Sequence, residues 1–410
     1  MNILWGIVGI ISVLGLAYLL SLDRKQIYMR TILGALAIQI IFAFLTLKST
    51  IGRAVLQEIS SVFQGIVNYA NEGISFVFGS LVEGDGFVFA FQVLTIIIFF
   101  SSLISILYYL GIMQRVINII GGALSKLLKT TKIESLAAAA NIFVGHTEAP
   151  LVVKPFIKKM HNSELFAVMV GGLGSVSGSV LVGYSLMGIP LEYLLAASFM
   201  AAPSSLLIAK IVLPLPKEIR DQVGGESDKA LKISNDDEEK PANIIDAAAS
   251  GASTGLKMAI EIAGTLLAFV ALIALINGIF GLVGGVFGIE LTMERILGVL
   301  LAPIAFLIGV PWSEAVIAGQ FIGQKIVINE FVAYAGLGGV IDTLSDKTAI
   351  ILSFALAGFA NFGSIAIQIG ALSTLAPNRR KDVSKLGMRA MICGTLASLL
   401  NAAIAGMFIL

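Results

Sequence analysis

Two glutamates stand where hydrocarbon dominates the chain. Glu148 lies in Asn141-Ile142-Phe143-Val144-Gly145-His146-Thr147-Glu148-Ala149-Pro150, beside a histidine and a threonine, and Glu330 lies in Val327-Ile328-Asn329-Glu330-Phe331-Val332. A charged side chain near the middle of a membrane costs about 2.5–3.5 kcal/mol on insertion scales, so its default reading is a functional site. The bland alternative is a structural glutamate paired with a lysine or the backbone, and the nearby lysines lie toward the ends of these segments. Two carboxylate acceptors suit a ligand rich in hydroxyl donors, and Thr147, Asn329, Asn361 and Ser364 add hydroxyl and amide groups. His146, next to Thr147 and Glu148, suits ligand contact or proton handling, and that titratable neighbourhood favours a proton over a metal ion as any ion handled there. His161, beside lysines, reads as a solvated end residue.

The setting is a membrane. The 410 residues are 57% hydrophobic and 13% charged, against about 25% charged in a soluble domain. Mean hydropathy is +0.95. The net charge of +1 offers no basic face for nucleic acid. One cysteine, Cys393, excludes a disulfide framework and a cysteine-rich metal site. The first apolar run has no basic residues before it and is long enough to span, so it reads as a retained helix rather than a cleaved signal.

A spanning helix needs about 20 apolar residues. Eight segments qualify as spans: 1–22, 31–47, 86–114, 166–190, 192–208, 263–289, 348–377 and 390–410. Residues 50–80 and 242–256 read as interfacial helices, 115–134 as a basic connection, and 216–241 as a polar, charged loop. The glutamate segments are too short to cross. Thirteen uncharged residues separate Glu134 from Glu148 and five separate Glu148 from Lys154, with Gly145 and Pro150 as breakers. Residues 315–334 likewise form two short apolar pieces, broken by Gly319, Gly323, Gln324 and Lys325. Both read as re-entrant hairpins, which a membrane tolerates only where they line a protein cavity.

Each hairpin precedes a span with a polar, glycine-rich middle, Gly171–Ser179 in the first case and Gly358–Ser364 in the second. Glu148 precedes Ser175 by 27 residues and Glu330 precedes Asn361 by 31. Placing the basic connections 24–30, 115–132, 154–159 and 379–385 in the cytoplasm leaves both termini outside and opens the hairpins to opposite faces. That is an inverted repeat, whose centre is the usual site for substrate and coupling ion. The chain divides into scaffold spans and interfacial helices (1–130), a first transport half (131–215), the loop (216–241), further scaffold (242–310), a second transport half (311–378) and a last span (379–410).

Two catalytic patterns fail. Gly174-Ser175-Val176-Ser177-Gly178 lacks the central serine and the strand–turn–helix context of a nucleophile elbow. His146-Thr147-Glu148 lacks the P-C-x-x-C half of a zinc deaminase motif. No Walker motif occurs, so uphill transport must use an ion gradient. Against a symporter stand a downhill facilitator of the same fold and a remote intramembrane serine hydrolase built on Ser177 and His146.

Gly145-His146-Thr147-Glu148-Ala149-Pro150-Leu151, Asn329-Glu330-Phe331-Val332-Ala333-Tyr334, Gly358-Phe359-Ala360-Asn361 and Pro241–Ala248 closely resemble the concentrative nucleoside transporter family over nearly the whole chain. The resemblance implies an all-α polytopic membrane protein with eight transmembrane helices, two re-entrant hairpins of opposite orientation and a homotrimer, each protomer with its own site. It implies nucleoside uptake by H+ or Na+ symport across the cytoplasmic membrane, with no other cofactor and no enzymatic activity. By motif position, His146, Thr147 and Glu148 would contact the base, and Glu330, Asn361 and Ser364 would hold the ribose hydroxyls. Val180 and Phe359 would be apolar walls. A sodium site would fall on Asn141, Val144, Ser175 and Val176, with Val144 and Val176 offering carbonyls. Bacterial relatives often carry Gln where this chain has His146, which points to a shift toward purine nucleosides.

Overall fold

In the computed structural model, residues 2–82, 88–221, 223, 241–286, 288, 289 and 291–408 are described, and among them every regular element is helical. Most of the charged loop expected at 216–241 lies outside the described residues. The main helices are α1 (Asn2–Leu19), α2 (Met29–Ala43), α3 (Thr50–Phe78), α4 (Leu94–Tyr109), α5 (Ile112–Leu128), α6 (Lys132–Ala140), α7 (Asn162–Leu173), α8 (Gly178–Leu186), α9 (Leu191–Val212), α10 (Ile244–Val286), α11 (Met293–Leu307), α12 (Trp312–Val327), α13 (Glu330–Gly338), α14 (Asp346–Ala355), α15 (Phe362–Leu375) and α16 (Arg380–Met407).

Among the described residues, seven helical segments are long and apolar enough to cross a membrane. The span expected at 348–377 is present as α14 and α15, each too short alone and separated at 356–361. Burial sorts the helices into two shells. The apolar windows of α7–α8, α9 and α16 are 94% buried, those of α1, α2 and α4 28%, and that of α10 0%. The inner helices form the buried centre and the outer ones present hydrocarbon to the surroundings.

Three expectations need correction. The interfacial helix at 242–256 and the span at 263–289 are one 43-residue helix, α10. At 1.5 Å per residue it is about 65 Å long, twice the hydrocarbon thickness of about 30 Å. The segment contains no proline, and Gly251 and Gly255 do not interrupt it; they let α4 approach, since a Cβ on Gly255 would lie 2.7 Å from the Ile98 Cα. The connection at 115–134 is largely the helix α5. In the second hairpin, Gly319, Gly323, Gln324 and Lys325 do not break the helix. They lie inside α12, and the break falls at Ile328 and Asn329. Gly319 and Gly323 are packing residues: Cβ atoms there would stand 2.5 Å from the Gly298 carbonyl oxygen and 2.7 Å from the Leu297 Cβ of α11, which meets α12 at a bend of 116°.

The element order repeats. A helix (α5, α11) leads into a helix–break–helix unit (α6 to 157, α12–α13), then a broken helix (α7–α8, α14–α15), then a long buried helix (α9, α16). Gly336 of α13 packs on Phe321 and Gln324 of α12, so the second unit folds back on itself. The bases of the two units lie at opposite ends of the bundle. At one end, the Leu22 N–H donates to the Val212 carbonyl (2.8 Å), Thr31 to the Leu128 carbonyl (2.6 Å) and Arg379 to the Met160 carbonyl (2.7 Å). This end gathers the basic connections expected to share a face. Glu134, at the base of α6, pairs there with Lys210. At the other end, Lys347 donates to Asn2, and Glu314 at the base of α12 accepts from Ser345 and Thr348.

Candidate functional site

The candidate site lies where the two helix breaks meet the turns of the two helix–break–helix units. The α7–α8 helix opens at 174–177, where the Ser175 hydroxyl donates to the Gly171 carbonyl (2.8 Å) and Ser177 takes extended backbone. The second broken span opens at 356–361 and restarts at Asn361, whose side chain accepts from the Ser364 N–H (2.8 Å) and caps α15. The two breaks touch: the Phe359 N–H donates to the Ser175 carbonyl (3.1 Å). Backbone groups freed by unwinding thus satisfy each other in the protein interior.

The first tip docks on the first break. The Gly178 N–H donates to the Phe143 carbonyl (2.9 Å), and the Ser198 hydroxyl of α9 donates to the Ile142 carbonyl (2.8 Å). A Cβ on Gly178 would stand 2.9 Å from the Phe143 oxygen, so glycine permits that approach. The Asn141 amide donates to the Ala137 carbonyl (2.9 Å), while its Oδ1 is buried without a partner. Val144, Ser175 and Val176 are buried as well. His146 is 8% exposed; its ring lies 4.9 Å from that of Phe359, and neither ring nitrogen has a partner. Thr147 and Glu148 are half-buried, and the Glu148 carboxylate accepts from the Gly145 N–H (3.4 Å), so no bond joins it to His146.

The second tip is held more tightly. Asn329 caps α13 by accepting from the Val332 N–H (2.9 Å), and Glu330 opens the helix. A carboxylate here faces the positive end of the helix dipole. Tyr184 of α8 donates to one Glu330 oxygen (3.1 Å) and the Asn361 amide to the other (3.3 Å). Glu330, Asn361, Ser364 and Val180 are all buried. Ser364 enters through its backbone N–H, on Asn361.

Sequence reasoning missed Tyr184, Gln368 and Lys325. Tyr184 follows Val180 by one helical turn, a spacing that places it on the same face. Its ring packs 4.8 Å from Phe331 and 4.6 Å from Tyr334. Gln368 donates to the Met169 carbonyl (3.0 Å) and stands with His146 against Gly172, whose missing side chain leaves room for both. Lys325 lies in the last turn of α12, toward a segment end as expected, and is wholly buried there. His161 is exposed as expected, and also caps α7 through its Nδ1, which accepts from the Ser163 N–H (3.1 Å).

Three family models match the chain: the Na+ dependent nucleoside transporter N-terminus at residues 8–81, the nucleoside recognition Gate at 90–191, and the Na+ dependent nucleoside transporter C-terminus at 193–406. The last covers more than half of the chain. The chain belongs to the concentrative nucleoside transporter family. It is 55% identical to the Bacillus subtilis transporter YutK over 100% of both chains. It is 48% identical to the Helicobacter pylori nucleoside permease NupC over 99% of this chain and 98% of that one. The transporter CNTnw in an inward-facing substrate-bound state matches at 53% identity and a TM-score of 0.92, covering 100% of this chain and 98% of CNTnw. Substituted variants of CNTnw have also been solved in outward-facing and intermediate states. This member of the family is a nucleoside transporter and a multi-pass membrane protein, not an enzyme.

Proposed function

We propose that the chain is a nucleoside:cation symporter of the cytoplasmic membrane that works by alternating access. The reading is carried by the Glu330 carboxylate, held on both oxygens by donors from two broken helices and seated at the N-terminus of α13. A buried acceptor so oriented suits ribose hydroxyls, with Asn361 and Ser364 beside it. His146, Thr147 and Glu148 take the base side, and Val180 and Phe359 form apolar walls; the His146–Phe359 ring pair supports a flat aromatic ligand there. His146 replaces a fixed amide with a ring that offers one donor and one acceptor, and we assign it a preference for purine nucleosides.

Na+ is the coupling ion this reading favours over H+. The orphaned Asn141 Oδ1, the Ser175 hydroxyl and the carbonyls of Val144 and Val176 are oxygen donors at an unwound helix, the chemistry by which such transporters hold Na+. A proton path would need His146 and Glu148 to communicate, and they share no hydrogen bond. The two helix–break–helix units are re-entrant hairpins opening to opposite faces. With the basic end in the cytoplasm, both termini lie outside. Three copies assemble, each with its own site.

The test is radiolabelled uptake in proteoliposomes with sodium and proton gradients imposed separately. Accumulation should follow the sodium gradient at fixed pH; accumulation that follows only a pH gradient reverses the ion, and none above the outside concentration makes the protein a facilitator. In the same vesicles His146→Gln should lower the purine-to-pyrimidine uptake ratio, and an unchanged ratio removes His146 from base selection.

A further inference from the structure

The second half carries a charge that the substrate site does not use. Lys325, in the last turn of α12, is 0% exposed. Its ammonium donates to the Ala355 carbonyl (2.9 Å) and the Ser398 hydroxyl (3.2 Å), and it forms no ion pair among the described residues. Ala355 is the last residue of α14, where the broken span's carbonyls lose their helical partners and the helix dipole is negative. Ser398 comes from α16 and stands against the break glycine Gly358, at which a Cβ would lie 2.7 Å from its hydroxyl.

The first half repeats this arrangement without the ammonium. Ser205, from α9, stands against the break glycine Gly174, where a Cβ would lie 2.5 Å from its hydroxyl. Asn141 follows α6 much as Lys325 ends α12. Here the Ser205 hydroxyl and the Asn141 Oδ1 are both buried without a partner. One half places a tethered cation on the end carbonyl of its opened helix and on the serine beside it; the other leaves the flanking Ser205 hydroxyl and Asn141 Oδ1 unsatisfied, which a buried interior tolerates poorly.

We propose that Lys325 is a built-in cation, occupying in the second half the position that the exchangeable coupling cation takes in the first. The repeated element order places a related set of buried oxygens in each half. Filling one covalently leaves a single set to be loaded from the gradient, so one cation moves with each nucleoside, and the unit bearing Glu330 stays fixed on the α14 break. The proposal rests on the cation-symport reading for its stoichiometry, but not for the role of the ammonium itself.

The experiment compares Lys325→Met, which keeps the shape and removes the charge, with Lys325→Ala, which leaves room for a small cation. Both are assayed for uptake in vesicles and for thermal stability of the purified protein, with methylammonium chloride and, as the excluded-size control, tetramethylammonium chloride. Lys325→Met should lose uptake by about tenfold or more, the size expected when buried acceptors lose a charged donor. Lys325→Ala should lose as much, and methylammonium but not tetramethylammonium should restore both stability and uptake. Its sodium dependence should steepen from first order toward second. Wild-type uptake in Lys325→Met overturns the proposal. So does a Lys325→Ala protein whose stability and uptake methylammonium fails to restore, whether or not it folds unaided. If wild-type uptake ignores both the sodium and the proton gradient, the symport reading fails by itself, and rescue of stability still decides the role of Lys325.

Discussion

Glu330 has its two oxygens committed to different elements, Tyr184 on α8 and Asn361 at the α15 cap. Replacing it by glutamine keeps the shape but turns one acceptor into a donor that faces a hydroxyl or amide already donating. A hydrogen bond to a charged group is worth about 1.5–3 kcal/mol. Glu330→Gln should therefore cut nucleoside uptake by about ten- to a hundredfold, a range that follows from about 1.4 kcal/mol per decade. Normal uptake by this variant would mean that Glu330 does not hold the ribose. The two stranded acids were legible in the sequence because charge inside an apolar run is rare. Tyr184 and Lys325 were not, since an aromatic in a span is usually packing and a lysine near a helix end usually reaches water.

Glycine had two meanings among the elements. At Gly174 and Gly358 it sits where a helix opens, and the polar residues beside it made those breaks readable. At Gly319 and Gly323 it lies four residues apart on one face of α12 and brings α11 close, so the same residue type marks contact rather than interruption. Gly394 of α16 is a further contact of this kind. A Cβ there would stand 2.9 Å from the Leu173 carbonyl carbon and 3.0 Å from the Gly174 nitrogen, both backbone atoms that cannot step aside. Gly394→Ala should lower stability by about 1–3 kcal/mol, the usual cost of overpacking, and shift α7 at the break that carries Ser175. Thermal unfolding in detergent reads the first effect, and an unchanged melting temperature would place no strain at this crossing.

The whole molecule is pinned at its basic end by a buried ion pair. Glu134 pairs with Lys210, their side chains 0% and 5% exposed, and Lys210 also donates to the Ser163 carbonyl (3.1 Å) and hydroxyl (2.8 Å). The base of the first hairpin, the start of α7 and the buried helix α9 are joined there. Removing one member of a buried pair costs about 3–5 kcal/mol because the other charge is left without compensation. Lys210→Met should be destabilised by that order, and Glu134→Gln added to it should recover part of the loss; additive losses in the double variant would show that the charges are not coupled. The sequence by itself determined the solvent, the stranded acids, the repeat and the family, because each is written in local composition or in motifs a few residues long. It could not say which glycines open a helix and which join two, that Lys210 would find Glu134, or that Lys325 would end on the carbonyl that α14 leaves unpaired. Those outcomes depend on groups from distant parts of the chain meeting where water is absent. There each polar atom takes whatever partner the packing brings to it, and only the tertiary structure decides which partner that is.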